Sequence, residues 1–187
     1  MRHKAERGMT LIELMIAMVV LAIGLGGITT LLVTAIASNN KNSTDTAATL
    51  LAQMVVDQIS SQNIYAPNNV LVSDCVGNQL AITTAPGAVG TGTGATLKAD
   101  GTIDFTQAYS AIPAGYAMRY TVCSSSVGGI PMTYEVRWNV MKVSTNTTTR
   151  MITAAARPLA SNANQLGGFY FALPVNLRSI GAPSAGQ

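Results

Sequence analysis

An α+β fold is predicted for this chain of 187 residues from three observations. An apolar run carries no charged side chain between Glu13 and Lys41. Behind it the apolar residues recur at helical spacing to about Ser61, and two later segments alternate with period two. Together these predict a long N-terminal helix, membrane-spanning in its first half and packed by its second half on an antiparallel sheet of three or four strands. The expected organisation is a leader at 1–8, a helix at 9–61 whose transmembrane segment runs over about 14–37, and a β-rich globular domain at 62–187.

The uncharged gap is roughly 27 residues, or about 40 Å of helix at ~1.5 Å per residue. A bilayer core needs only about 20 apolar residues. Gly24, Gly26 and Gly27 fall inside this run, where they fit either close helix–helix packing or a weak point in the helix. Ser38 to Ser43 is polar but contains no helix breaker. Ala47, Ala48, Leu51, Met54, Val55 and Ile59 then form the stripe of an amphipathic helix, which Asn63, Pro67, Asn68 and Asn69 end.

Val70 to Val76 reads as a short strand, and the Gly-, Thr- and Ala-rich stretch from Thr83 to Gly101 as a long exposed loop. Its Gly90-Thr91-Gly92-Thr93-Gly94 lacks the spacing and the Lys-Ser/Thr of a phosphate loop. In Tyr116–Cys123 the residues Tyr116, Met118, Tyr120 and Val122 share one face and Arg119 lies on the other. In Met132–Val143 the set Met132, Tyr134, Val136, Trp138 and Val140 alternates with Glu135, Arg137 and Asn139. Gly128, Gly129 and Pro131 supply the turn between these two strands. Met151–Ala156 reads as a third strand and Phe169–Leu173 as a last one before a loose tail. The aromatic residues are expected in the sheet core rather than in a binding cage.

Net charge is a poor guide to partners here. Arg2, Lys4 and Arg7 against Glu6 supply +2 of the formal +3, so the chain after Gly8 is only +1 and gives no support for nucleic-acid binding. The leader's basic residues follow the positive-inside rule, which leaves Met1–Gly8 in the cytoplasm. From Met9 to Phe105 two bases face six acids, a net of −4; from Thr106 onward six bases face one acid, a net of +5. That asymmetry, with Arg119 and Arg137 on the face opposite the apolar rows, makes these two arginines candidates for docking an acidic neighbouring surface. Cys75 and Cys123 both follow the apolar run and so lie in an oxidising compartment, where a disulfide persists; two buried free thiols are the alternative. The bond would close a loop worth roughly 4 kcal/mol in the chain-entropy model. The one histidine, His3, precedes the apolar run, which argues against a metal site; no cofactor or small-molecule substrate is expected either. Sparse carboxylates and the lack of a nucleophile motif argue against an enzyme.

The N-terminal residues Gly8-Met9-Thr10-Leu11-Ile12-Glu13, with the basic leader before them and the apolar run behind, resemble the type IV prepilin signal shared by pilins and type II secretion pseudopilins. The resemblance implies a pilin-like fold. It also implies cleavage by a prepilin peptidase between Gly8 and Met9, N-methylation of Met9, and pairing of Glu13 with the N-terminal amine of a neighbouring subunit. Many members carry Phe where this chain has Met9. A carboxylate at the head of a membrane helix needs a partner, and the amine freed by that cut is a suitable one. Thr10 and Glu13 also have the T-x-x-E spacing of a capping box, a role that is compatible with the first.

Ile12-Glu13-Leu14 and the stretch Val20–Gly27 look most like the PilV-type minor pilins and a related type II secretion pseudopilin. The implied function is that of a minor pilin in the bacterial inner membrane, with its domain periplasmic, assembling with other pilin or pseudopilin subunits into a pilus. A type II secretion minor pseudopilin is the alternative within the family. From a different class comes a soluble secreted binding domain, released at the small-residue site Ala35-Ile36-Ala37 before Ser38; the apolar run is far longer than the ~7–15 residues of an ordinary signal sequence.

Overall fold

The computed structural model describes residues 10–63, 69–123, 131–145, 149–159 and 174–181, apart from the Asn40 side chain. One helix, α1, runs over Leu11–Ser60. It is helical throughout Gly24–Gly27, and a Cβ added at Gly24, Gly26 or Gly27 would meet nothing within 4 Å. These glycines therefore have no packing partner among the described residues. The chain divides into two compact units, Met1–Asn42 and Ser43–Gln187.

In the first unit every described side chain from Thr10 to Ile36 is exposed. Leu11, Ile23 and Leu31, for example, are 78%, 72% and 70% accessible. The hydroxyls of Thr29, Thr30 and Thr34 in this stretch bond back to the helix backbone. Thr29 Oγ1 donates to the Gly26 carbonyl (2.9 Å), Thr30 Oγ1 to that of Gly27 (2.8 Å), and Thr34 Oγ1 to those of Thr30 and Leu31 (3.1 and 2.9 Å).

The second unit is α+β. Strands β1 (Val70–Ser73) and β2 (Gln79–Ile82) form an antiparallel hairpin. Strands β3 (Thr93–Gly94), β4 (Ala117–Val122), β5 (Met132–Lys142), β6 (Arg150–Pro158) and β7 (Val175–Gly181) form a five-stranded antiparallel sheet. Both β3 and β4 pair with β5, which pairs on its other side with β6, and β6 with β7. Ala48, Leu51, Ala52, Val55, Val56 and Ile59 of α1 share one apolar core with Met118, Tyr134, Val136, Trp138, Val140, Ile152, Ala154 and Ala156. The expected stripe and the expected inward row of the sheet thus meet. Arg150, inward-facing from β6, ends the helix: its Nη2 donates to the carbonyls of Ile59 and, at 2.7 Å, Gln62.

The sheet has five strands where three or four are expected, and its far edge is formed by a segment not read as a strand. Val175–Gly181, read from sequence as tail, is β7, held in register along β6 from Val175↔Ala156 to Gly181↔Arg150. The strand expected at Phe169–Leu173 lies outside the described residues. The stretch from Thr83 to Gly101 is not simply an exposed loop. It donates β3, Gly87 N–H reaches the Val140 carbonyl (2.9 Å), and Ala95 is fully buried. From Thr91 to Tyr109 this connection lies over the outer face of the sheet. Asn139 Nδ2 donates to the carbonyls of Thr91 and Ala95 (3.2 and 2.9 Å), and Asn176 Oδ1 accepts from Ile103 N–H (3.0 Å). Gly101, at φ +78°, lets Arg178 Nη2 reach its carbonyl, where a Cβ would collide with that guanidinium. Two turns of the Asp-x-Thr kind brace the connection: Asp100 accepts from Thr102, and Asp104 from Thr106, each through the N–H and Oγ1.

Candidate functional site

Two places hold the residues singled out from the sequence, one in each unit. At the N-terminal one, Gly8 and Met9 lie outside the described residues. Thr10 and Glu13 sit at the start of α1. Glu13 N–H reaches Thr10 Oγ1 at 3.4 Å and the Thr10 carbonyl at 3.1 Å, the first half of a capping box. Among the described residues the Glu13 carboxylate accepts no hydrogen bond and forms no ion pair. It is the one acidic residue in the first turn, where the helix dipole favours it. The apolar side chains that follow it from Leu14 to Ile36 are exposed among the described residues. The helix is long and apolar enough to cross a membrane.

The second place is the outer face of the sheet. Here the cross-strand register sets Arg119 of β4 opposite Glu135 of β5, and Glu135 opposite Arg157 of β6. Glu135 is 3% exposed and its carboxylate is fully engaged. One oxygen takes Arg137 Nε at 2.6 Å and pairs with Arg137 Nη2; the other takes Arg157 Nη2 at 2.8 Å. Burial by itself raises the Glu135 pKa, but the hydrogen bonds and charges of Arg157 and Arg137 outweigh it and hold the carboxyl below its usual value.

Arg137 is not presented to solvent. Its parity is as expected, on the face away from α1, but it is 2% exposed because the Thr91–Tyr109 connection covers it. Its Nη1 donates to the carbonyls of Asp104 (3.0 Å) and Gln107 (2.8 Å), and its guanidinium lies 4.8 Å from the centre of the Phe105 ring. Arg157 approaches the same ring at 4.5 Å. Arg119 remains exposed, 4.8 Å from the centre of the Tyr109 ring. Sequence reasoning missed Glu135, Arg157 and Phe105. The signal available was the Glu135-x-Arg137 spacing, two opposite charges on one face of a single strand.

Cys75 and Cys123 are joined by a disulfide across a Cα–Cα distance of 5.8 Å. The bond ties the β1–β2 turn to the end of β4, beside the Cys75 N–H to Thr121 carbonyl bond (3.3 Å) and the Tyr120 hydroxyl's bond to the Ser73 carbonyl (2.9 Å). The turn is also held by Asp74, whose carboxylate accepts from Val76 N–H, Asn78 N–H and Asn78 Nδ2. Among the described residues no group of His, Cys, Asp and Glu is arranged to hold a metal ion.

Residues 3–29 match the family model described as the prokaryotic N-terminal methylation motif. No curated protein and no solved structure matches the chain. The motif supports the type IV prepilin or pseudopilin family, a structural subunit rather than an enzyme, and membrane anchoring through α1. It implies processing by a prepilin peptidase and assembly with other pilins.

Proposed function

We propose that this chain is a minor type IV pilin, of the kind the PilV-type proteins represent. In this reading it is held in the bacterial inner membrane by residues 14–37, with residues 1–8 cytoplasmic and the 62–187 domain periplasmic, before it joins a pilus. The observation that carries the reading is one continuous arrangement. A basic leader ends at Gly8, a lone acid stands at Glu13, and α1 then continues unbroken from an uncovered apolar half into a half that packs on a sheet. The peptidase would cut between Gly8 and Met9 and Met9 would be methylated. Glu13, with no ion-pair partner among the described residues, would pair with the Met9 amine of a neighbouring subunit.

Intact mass of protein purified from membranes tests this. The expected species lacks residues 1–8 and carries one methyl group on Met9. A mature chain beginning at Ser38 would replace the filament reading with a released secreted domain, although that cut falls inside a regular helix. Loss from purified pili together with recovery in a secretion complex would favour the type II secretion pseudopilin instead.

A further inference from the structure

Three arginines share the outer face of the sheet with one buried carboxylate, and two of them occupy it. Glu135 spends both its oxygens on Arg137 and Arg157. Asp104, in the covering connection, accepts from the N–H and Oγ1 of its own turn's Thr106 at 2.8 and 2.7 Å. Arg119, although in register with Glu135, turns away to lie over Tyr109. Among the described residues its guanidinium donates to no acceptor. The ring holds the planar group by a cation–π contact and leaves its N–H edges free. A planar, fixed, unsatisfied fork of donors beside a local excess of positive charge matches a carboxylate, which it can bind through two parallel hydrogen bonds. Arg157, 33% exposed at its side chain, adds a second cation on the same face.

We propose that Arg119, presented on Tyr109 with Arg157 two strands away on the same face, is a docking point for an acidic protein segment. This rests on the proposed function for its setting, a neighbouring subunit of the assembly, but not for its chemistry. It replaces the Arg119–Arg137 pair expected from strand parity: Arg137 belongs to the buried lattice that positions the face, and the exposed contribution falls to Arg119 and Arg157.

The test uses the full chain in detergent and a fluorescent hexaglutamate peptide as probe, with binding read by anisotropy at low and high salt. Arg119→Gln is expected to weaken binding roughly threefold to tenfold, the range of an exposed to a well-oriented charge pair. Lys142→Gln, a control at an exposed lysine elsewhere on the sheet, should leave it unchanged. Tyr109→Ala should weaken binding while Tyr109→Phe restores it, a pattern that charge alone does not produce. Equal losses in Arg119→Gln and Lys142→Gln would overturn the proposal, as would Tyr109→Ala binding as wild type does. A single-stranded oligonucleotide that binds more tightly than the peptide and depends on Arg119 would also overturn it, in favour of a phosphate-binding surface. None of these outcomes bears on the mass of the mature N-terminus, so failure here and failure of the proposed function are separately visible.

Discussion

Glu135, Arg137 and Arg150 are each at most 3% exposed, and each carries a charge that must be compensated where it sits. For Glu135 the compensation is ionic, and removing one side of it leaves two guanidiniums crowding the Phe105 ring. Breaking a buried pair in this way costs about 3–5 kcal/mol, so Glu135→Ala should lower the denaturant midpoint of the domain severely. Glu135→Gln keeps the shape and tests the charge. Because the folded pKa of Glu135 lies below its ordinary 4.5, its contribution is fully present at neutral pH and is lost as pH falls below that value and through the folded one. The wild type should therefore lose more stability between pH 7 and pH 3 than Glu135→Gln does. Asp74, Asp100 and Asp104, also held low by hydrogen bonds, fall in the same window but are common to both proteins. Equal losses in the two proteins would remove Glu135 from the account.

Helix α1 has no basic residue in its last turn, and Arg150, some ninety residues later in the chain, fills that place from β6. Its cation meets the negative end of the helix dipole and bonds two carbonyls there, of which that of Ile59 also accepts from Gln62 N–H. Arg150→Met keeps the bulk and removes the donors. It should cost about 1.5–3 kcal/mol and speed hydrogen exchange at the last turn of α1 more than in β5. Unchanged exchange there would return Arg150 to simple packing. The same long reach explains what could be read locally and what could not. The span of α1, the inward rows of β4 and β5, and β6 follow from spacing within each segment. β7 does not: Asn176, Arg178 and Gly181 give it a loop's composition, and only pairing with β6 makes it a strand. The Thr91–Tyr109 connection has no apolar period either; its order comes from Asn139, Arg137, Asn176 and Arg178, all distant in sequence. Polar alternation in β5 therefore signalled solvent where the fold supplies a second cover. The hairpin strand β2, bounded by Asn78 and Thr83, is too short to carry a pattern of its own.

At the scale of the whole molecule, one helix serves two surroundings. Glu13→Ala should leave processing and membrane insertion intact, because removing a charge from an apolar helix cannot hinder its entry. On the proposed pairing, incorporation into filaments should fall, since the Met9 amine of the neighbour would lose its counter-charge. The measurement is a normal membrane signal with a reduced sheared-pilus signal; wild-type incorporation would leave Glu13 only the capping role. The threonines of α1 carry a further consequence. Each hydroxyl at positions 29, 30 and 34 is already closed onto a carbonyl of the preceding turn. The segment therefore offers lipid and protein the same unreactive coat, with no hydrogen bond to surrender on leaving one for the other. On the pilin reading, passage between a bilayer and a bundle of like helices would break none of these threonine hydrogen bonds.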